Sequence, residues 1–450
     1  MEMSEVVAKV RQFPPNQQEE VQRVARDWAI TENRLAEWEK FFPPATPEPS
    51  AVNPEVGTID HLLRGVAFFS KEFGFGLTPV EGIQAPRVNV LRFSPELKTD
   101  VTMVARKFPN ITARLKGIGA SPPPIVRVID GGIEVLCVRK NWDVCHLSQY
   151  VKSKPWQPWE KFTLPLSVSI DGNLIEPSLV HMQVAGTPGS GKTALLNALL
   201  GSVLIRYKPE QVQWLLIDPE RVGLRQFNGL AWFWRGLDGR MPKKAIVDTA
   251  ESVEAIRSVL DEHQRRLRLL ELEGVDCLER YNRKNPSTLP HLMVIIDEYG
   301  VFLGRVGEAV VPPAEEGQKP KSAGAIDTEG RKILNDLVID IGRICRKTGI
   351  HLIVASQRAA QDTFDPNLRD VLEIKIVLKC ASQGGSQVAF GYNCDWAVQL
   401  AGNGDMWVVD GGEAQRGQGL YIDDDTVLSD GLTRLGRLLA AARLVKDPGT

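Results

Sequence analysis

The stretch His181–Asn197, HMQVAGTPGSGKTALLN, decides the fold of this chain. An apolar segment leads into Gly186–Thr193, GTPGSGKT, and a second apolar segment follows. The spacing G-x-x-x-x-G-K-[ST] between a strand and a helix is typical of a phosphate-binding loop. Its glycines let successive backbone N–H groups turn toward one phosphate, and the start of the following helix adds a positive end. A glycine-rich turn without a ligand is the alternative, and it is disfavoured because both flanks also match.

This loop predicts the nucleotide contacts and the cofactors, ATP and Mg²⁺. Lys192 is predicted to reach the β- and γ-phosphates, and the Thr193 hydroxyl is predicted to bind Mg²⁺. The predicted nucleotide-binding residues are Gly186, Thr187, Pro188, Gly189, Ser190, Gly191, Lys192, Thr193 and Ala194.

Two acids follow a second apolar segment, Leu292–Ile296. Asp297 is predicted to hold Mg²⁺ through its water shell, and Glu298 to act as general base on the attacking water. Both roles require a carboxylate at the carboxyl end of a strand, beside the phosphates. A solvated turn after a core strand is the alternative, and the phosphate-binding loop upstream disfavours it.

Further polar residues complete the predicted catalytic set. Gln357 follows the apolar segment IHLIVAS and is predicted to orient water near the γ-phosphate, with plain surface exposure as the alternative. Arg343, Arg346 and Arg369 are candidate arginine fingers for a neighbouring subunit's nucleotide. For at least two of these three arginines, a solvated helix face is the better interpretation.

Composition excludes several classes of function. The chain has 450 residues, with 43% hydrophobic, 24% charged and a net charge of −2. A protein that wraps nucleic acid is usually basic, so any DNA contact here must be local. No apolar run approaches the ~20 residues of a membrane span, and the N-terminus lacks the core of a signal peptide. Without such a run, we expect no direct membrane insertion. Six scattered cysteines without a C-x-x-C pair argue against metal or redox chemistry and predict reduced thiols in a cytoplasmic protein.

Apolar segments that alternate with helical patterns predict an α/β fold with a mostly parallel sheet. The predicted strands are 182–185, 212–217, 292–296, 351–355, 374–378 and 406–409. Helices are predicted after the phosphate-binding loop, over 253–272, and over 333–344 up to Gly349. Ligands of such sheets bind at the carboxyl ends of the strands, where this loop lies.

The rest of the chain divides by composition into five predicted segments. These are a helical segment 1–42, a Pro-rich linker 43–55, a small α+β domain 56–150, the ATPase domain 151–430, and a C-terminal helix and tail 431–450. In the small domain, Asp130-Gly131-Gly132 predicts a hairpin. Residues 304–330 are poor in large apolar side chains, which predicts a long loop. Either Lys319 and Lys321 of this loop touch a DNA backbone, or the loop is a disordered insertion.

These motifs resemble the FtsK/SpoIIIE family of DNA-pumping ATPases. The resemblance rests on MQVAGTPGSGKTALLNALLGSVL, VQWLLIDPERVGLRQFNG, RLLELEGVDCLERYNRK, LPHLMVIIDEYGVFL, TGIHLIVASQR and GNGDMWVVD, in the family's order over about residues 180–425. It implies a RecA-like motor that forms a ring, expected to be a homo-hexamer, around double-stranded DNA, with ATP between subunits. The function expected is an ATP-dependent DNA translocase of a plasmid, phage or mobile element.

The chain departs from the septal members of this family. Their N-terminal membrane spans and C-terminal winged-helix domain have no counterpart in the sequence, which argues against chromosome segregation at the septum. Lys375 stands where the family usually has an arginine, so Arg346 or Arg369 is expected to supply the finger. Two alternatives stay open: a secretion motor that resembles the type VII ATPases, and a non-catalytic nucleotide switch.

Overall fold

The computed structural model describes residues 56–445 except 97–100, 115–123, 131, 140, 153–155, 158, 179, 222, 312–321, 424–432 and 444. The predicted segments 1–42 and 43–55 therefore lie outside the described residues, as do Lys319 and Lys321. Within the described part, the strands form a four-stranded sheet and a nine-stranded sheet. None of the described helices combines the length and the apolar composition that a membrane span requires.

The four-stranded sheet is antiparallel, with the order β1-β2-β4-β3. Its elements are α1 (Val56–Glu72), β1 (Leu77–Gln84), β2 (Val88–Pro95), α2 (Val101–Arg114), β3 (Ile125–Ile129) and β4 (Gly132–Val138). The predicted hairpin is confirmed, because Ile129 pairs with Gly132 across the turn. Apolar side chains of β2 and β4 pack with both helices in one buried cluster.

The nine-stranded sheet has the order β6-β5-β13-β12-β11-β7-β10-β9-β8. Its strands are β5 (Ser167–Ser169), β6 (Leu174–Ile175), β7 (Met182–Ala185), β8 (Val212–Ile217), β9 (His291–Ile296), β10 (Ile350–Ser356), β11 (Ile374–Leu378), β12 (Asp405–Asp410) and β13 (Glu413–Gly419). All six predicted strands are present with bounds within one residue. Strands β11, β7, β10, β9 and β8 are consecutively parallel, and only β12 and β5 run against the other strands.

The helices and short helices that accompany this sheet follow in chain order. They are α3 (Leu147–Tyr150), α4 (Lys192–Arg206), α5 (Thr249–Leu272), α6 (Leu278–Lys284), α7 (Tyr299–Arg305), α8 (Gly307–Val310), α9 (Ala323–Ile344), α10 (Pro366–Val371), α11 (Gln383–Phe390) and α12 (Arg434–Ala442). Helix α12 lies in the predicted C-terminal segment and packs its Leu435 and Leu439 into the core that α4 shares.

Burial on both faces explains why the central strands are apolar without alternation. In β9, Leu292, Val294 and Ile296 point into one core, which also takes residues of α5 and α9. Met293 and Ile295 point into the opposite core, which also takes residues of α4. Both faces of the sheet are therefore covered, which confirms the predicted α/β fold class.

The prediction of a loop over 304–330 is wrong for the described residues at both ends of this range. Helix α8 lies within this range, and α9 begins at Ala323, capped by the Ser322 hydroxyl, which accepts from the backbone N–H of Ala325. A Cβ added to Gly330 would lie 2.7 Å from the Gly307 Cα. The glycines that resembled loop residues therefore let α8 and α9 approach each other closely. Residues 312–321 lie outside the described part.

Strand β13 escaped prediction because its sequence lacks an apolar pattern, and β5 and β6 escaped because they have only three and two residues. In β13, EAQRGQG, the two glycines allow close contact between strands. A Cβ on Gly417 would lie 2.8 Å from the Ser167 Oγ, and a Cβ on Gly419 would lie 2.5 Å from the Met406 Cε. The buried Arg416 of the same strand is neutralised by Asp405 of β12, with an Nη2–Oδ2 distance of 2.7 Å.

Candidate functional site

The phosphate-binding loop connects the carboxyl end of β7 to the first turn of α4. Its backbone passes through the left-handed region at Gly189 (φ 76°) and Gly191 (φ 107°), where glycine is favoured. The backbone N–H of Gly186 donates to the Ser356 carbonyl at 3.2 Å, and that of Thr187 donates to the Lys379 carbonyl at 2.8 Å. The ends of the two neighbouring strands thus hold the first half of the loop in place.

A second segment braces the other half of the loop. We call residues Ala401–Gly404 the 401–404 turn. The Gly404 N–H donates to the Ser190 carbonyl at 2.8 Å. A Cβ added to Gly191 would lie 2.5 Å from the Gly404 nitrogen, so no other residue fits at 191 without a shift of the turn.

Lys192, Asp297 and Glu298 form a compact buried cluster. The Lys192 ammonium lies 2.6 Å from the Asp297 Oδ1 and 2.6 Å from the Glu298 Oε2. Burial alone would lower the pKa of Lys192, but the two carboxylates outweigh it and raise that pKa. The lysine is therefore charged in this cluster, and it joins the loop to the two acids 105 and 106 positions away.

Glu298 is fixed by further hydrogen bonds. Its backbone is left-handed (φ 57°), which is uncommon outside glycine and is found at functional sites. Its carboxylate accepts from the Ser356 hydroxyl at 3.2 Å and from the Gln357 backbone N–H at 2.9 Å. The side chain of Gln357 reaches instead toward Glu220, with an Nε2–Oε2 distance of 3.4 Å. The candidate base is therefore held by residues at the carboxyl end of β10, the edge of the sheet where the sequence predicts the site.

The surroundings of Asp297 fit a magnesium ion. A Cβ on Gly223 would lie 2.8 Å from the Asp297 Oδ2 and 3.8 Å from the Thr193 Cγ2, so both side chains border one space that a side chain at 223 would fill. The described residues contain no group of three or more His, Cys, Asp or Glu side chains suited to a metal. Mg²⁺ needs fewer, since it is bound through one or two carboxylates together with phosphates.

Sequence reasoning missed two acids at this edge. Asp218 follows β8, is fully buried, and accepts from the backbone N–H groups of Arg221 at 2.9 Å and Leu224 at 3.1 Å. The pKa of Glu220 is raised by partial burial and then by the charge of Glu298. Both residues follow an apolar parallel strand, the same pattern that indicated Asp297, so this pattern applied to β8 would have found them.

The two predicted finger arginines do not join the Lys192 cluster. Arg346 is paired with Glu373 at 2.7 Å, and more than half of its side chain is exposed. Arg369 lines an open cleft of about 820 Å³ together with Arg358 and Tyr392. Lys375 donates to the Phe390 carbonyl at 3.1 Å, and burial followed by the charge of Arg369 lowers its pKa. The assignment of a finger stays a prediction.

This geometry, a braced phosphate-binding loop beside a strand that ends in two acids, agrees with a family-level match. Residues 146–361 match the model of the FtsK/SpoIIIE family. These residues make up slightly less than half of the chain, and over them the chain is similar to the FtsK/SpoIIIE family. The match confirms the predicted resemblance and the P-loop fold class.

Relatives with this family's names align with much of the chain. A DNA translocase FtsK from Borreliella burgdorferi is 27% identical over 349 residues, which are 75% of this chain and 39% of the relative. The DNA translocase SftA from Bacillus subtilis is 27% identical over 395 residues, which are 84% of this chain and 37% of the relative. The chain thus spans about two fifths of the length of these FtsK/SpoIIIE relatives.

A solved structure confirms the fold. The monomer form of the pCW3 conjugation coupling protein TcpA with ATPγS superimposes with a TM-score of 0.52 at 16% identity. The match covers 81% of this chain and 96% of that protein. At this identity the likeness establishes the RecA-like α/β fold and nothing about substrate.

Proposed function

We propose that this chain is an ATP-dependent motor that moves double-stranded DNA. The observation that carries the proposal is the buried cluster in which Lys192 of the phosphate-binding loop lies 2.6 Å from both Asp297 and Glu298. The cluster supports the proposal because it brings together the residues proposed as phosphate ligand, metal ligand and general base. DNA is the proposed cargo because the aligned relatives are named DNA translocases.

In the proposed reaction, the triphosphate competes with the two carboxylates for the Lys192 ammonium. Once Lys192 pairs with phosphate, Glu298 is free to accept a proton from the attacking water. The Ser356 hydroxyl and the Gln357 N–H hold the Glu298 carboxylate in place for that step. Thr193 and Asp297 would hold Mg²⁺, which would neutralise charge on the phosphates when bound. Nucleotide binding therefore frees the Glu298 carboxylate from its ion pair with Lys192, so that it can act as the base.

The assembly and location are part of the same proposal. We propose a ring of identical subunits, expected to be a hexamer, with an arginine (Arg346 or Arg369) reaching the neighbour's nucleotide. The two arginines lie at or near the surface, where a neighbouring subunit can contact them. All six cysteines are free thiols, which supports a reducing compartment such as the cytoplasm.

The direct test is ATP hydrolysis by the purified full chain with and without linear duplex DNA. We expect duplex DNA to stimulate hydrolysis and the protein to displace a triplex-forming strand from the duplex. Lys192→Ala is the matched inactive control. If ATP is hydrolysed but no DNA changes the rate, the DNA part of the proposal fails. If nucleotide does not bind, the whole proposal fails.

A further inference from the structure

Arg87 extends from the four-stranded sheet to the 401–404 turn, which contacts the phosphate-binding loop. It lies between β1 and β2, and only 6% of its surface is exposed. Its Nη2 donates to the Gly402 carbonyl in the 401–404 turn at 3.4 Å, a contact over 315 positions of sequence. The guanidinium also stacks on the Trp142 ring, 4.2 Å from the ring centre. The contact therefore joins two separate sheets at a buried point.

The 401–404 turn is rigidly held from the side of the nine-stranded sheet. The Asp405 carboxylate accepts from the Ala401 N–H at 2.8 Å and from two nitrogens of the buried Arg416 at 2.7 and 3.0 Å. The Gln418 side chain donates to the Asn403 carbonyl at 2.8 Å. These four hydrogen bonds tie the turn together, so a displacement at Gly402 is passed to Gly404.

Gly404 and Gly402 both touch the phosphate-binding loop. Gly404 donates to the Ser190 carbonyl and leaves no space for a side chain at Gly191. A Cβ on Gly402 would lie 3.7 Å from the Gly189 carbonyl oxygen. The backbone of the loop, which presents its N–H groups to phosphate, is therefore in van der Waals contact with the turn that Arg87 holds.

Arg87 lies in a buried, charged environment beside the 401–404 turn. Burial lowers the pKa of Arg87, the charge of Asp405 counteracts this effect, and the charge of Arg416 adds to it. The Arg87 Nε and Nη1 are buried and have no hydrogen-bond partner among the described residues. A movement of the 401–404 turn would therefore change the hydrogen bond between Arg87 and Gly402, and the Arg87 guanidinium has few other hydrogen-bond partners.

We propose that Arg87 is a positioning residue that couples the four-stranded sheet to nucleotide binding through the 401–404 turn. The proposal rests on the nucleotide binding proposed above. Coupling is reciprocal: if Arg87 favours the binding conformation of the loop, bound nucleotide must in turn stabilise the contacts of Arg87. The four-stranded sheet thus senses whether nucleotide is present.

The test measures nucleotide affinity and hydrogen exchange in the full chain. Arg87→Met removes the guanidinium and keeps an apolar stem of similar length. We expect the Kd for fluorescent ADP to rise about fivefold or more, the lower end of typical coupling between sites. In the parent protein, ADP should slow amide exchange in residues 84–88, and this response should disappear in Arg87→Met. A merely structural role would not produce an exchange response to nucleotide.

Arg127→Met is the matched control. Arg127 also crosses between the sheets, with its guanidinium 5.0 Å from the Trp407 ring centre, but it does not contact the turn. The Arg127→Met variant should leave both the Kd for ADP and the exchange response to ADP unchanged. If Arg87→Met does not fold, Arg87→Gln, which is too short to reach Gly402, takes its place.

The outcomes separate this inference from the proposed function. If the parent protein binds nucleotide and the Arg87 variant binds it equally well with the same exchange response, the inference is overturned and the proposed function stands. If the Arg127 control shows the same loss as the Arg87 variant, general loosening between the sheets explains the effect, and the inference is again overturned. If the parent protein binds no nucleotide, the proposed function fails first.

Discussion

Acid should destabilise this protein through three buried histidines, and the effect is large enough to measure. His181, His291 and His351 lie at the amino edge of the parallel strands, opposite the phosphate-binding loop, and at most 4% of each residue is exposed. The His291 Nδ1 and the His351 Nε2 are 2.9 Å apart, and the His181 Nδ1 accepts from the Leu352 N–H at 3.1 Å. His181 must be neutral to accept its bond, and so must whichever ring of the His291–His351 pair accepts, so the three rings cannot all be protonated with these bonds intact.

Burial sets the direction of the titration. It lowers the pKa of His181 to about 4 and that of His291 to about 3, and the pKa of His351 also lies well below its ordinary value. The buried cation Arg266 lowers the pKa of His291 and His351 further, and Arg346 lowers that of His181. The rings of Trp156 and Phe162 contact His291, and that of Phe162 also contacts His351, and these rings carry no negative charge that would stabilise an imidazolium.

The sign follows from the proton balance. Below the ordinary pKa of about 6.5, the unfolded chain binds protons that the folded protein excludes, so the free energy of unfolding falls as pH falls from about 6.5 toward 4. Above pH 7 both states are neutral and the contribution is constant. When the pH falls from 7 to 5.5, each of these histidines lowers the free energy of unfolding by about 1.3 kcal/mol, and the three together lower it by about 4 kcal/mol.

Urea unfolding followed by tryptophan fluorescence at pH 7 and pH 5.5 measures this difference. The double variant His291→Leu/His351→Leu should reduce the pH dependence by about 2.6 kcal/mol, whatever it does to the stability at pH 7. A parent protein that loses less than about 1 kcal/mol over this range, or a double variant with the parental slope, would refute the reasoning.

Three further changes test the site and the fold. Gly191→Ala should abolish nucleotide binding in a fluorescence titration, because its Cβ would lie 2.5 Å from the Gly404 nitrogen and φ is 107°; binding within twofold of the parent would contradict this. Glu298→Gln should still bind ATP but hydrolyse it about 10²- to 10⁴-fold more slowly in a steady-state assay, as expected when a general base is lost; parental turnover would show that Glu298 is not the base. Gly330→Val should lower the melting temperature, because its Cβ would meet Gly307 at 2.7 Å. Gly324→Val is the control and should not lower it, because its Cβ meets nothing within 4 Å and valine has a better helix propensity than glycine.

Much of the site could be predicted because its parts are local in sequence. The loop Gly186–Thr193 is one contiguous motif, and the strands that flank it are buried on both faces, so each appears as an apolar run. The same logic located Asp297 and Glu298 at a strand end. Asp218 also follows an apolar parallel strand directly, so its position at this edge could be predicted in the same way.

Other features required the tertiary structure because their partners are far apart in the chain. The helices within 304–330 follow from the close contact of Gly307 with Gly330, and glycine composition alone indicates a loop. Strand β13 is stabilised by the contacts of its glycines and by the buried pair of Arg416 with Asp405, none of which produces an apolar pattern.

The sequence by itself determined the class of this protein: a phosphate-binding loop on a parallel sheet, followed by a strand that ends in two acids. It did so because hydrophobic periodicity and backbone freedom at glycine are properties of neighbouring residues. Only the tertiary structure decided that Lys192 lies between Asp297 and Glu298, and that Arg87 reaches the turn that braces the loop. Those contacts span 105 to 315 positions, and the direction and distance of such side chains are set by how the sheets pack.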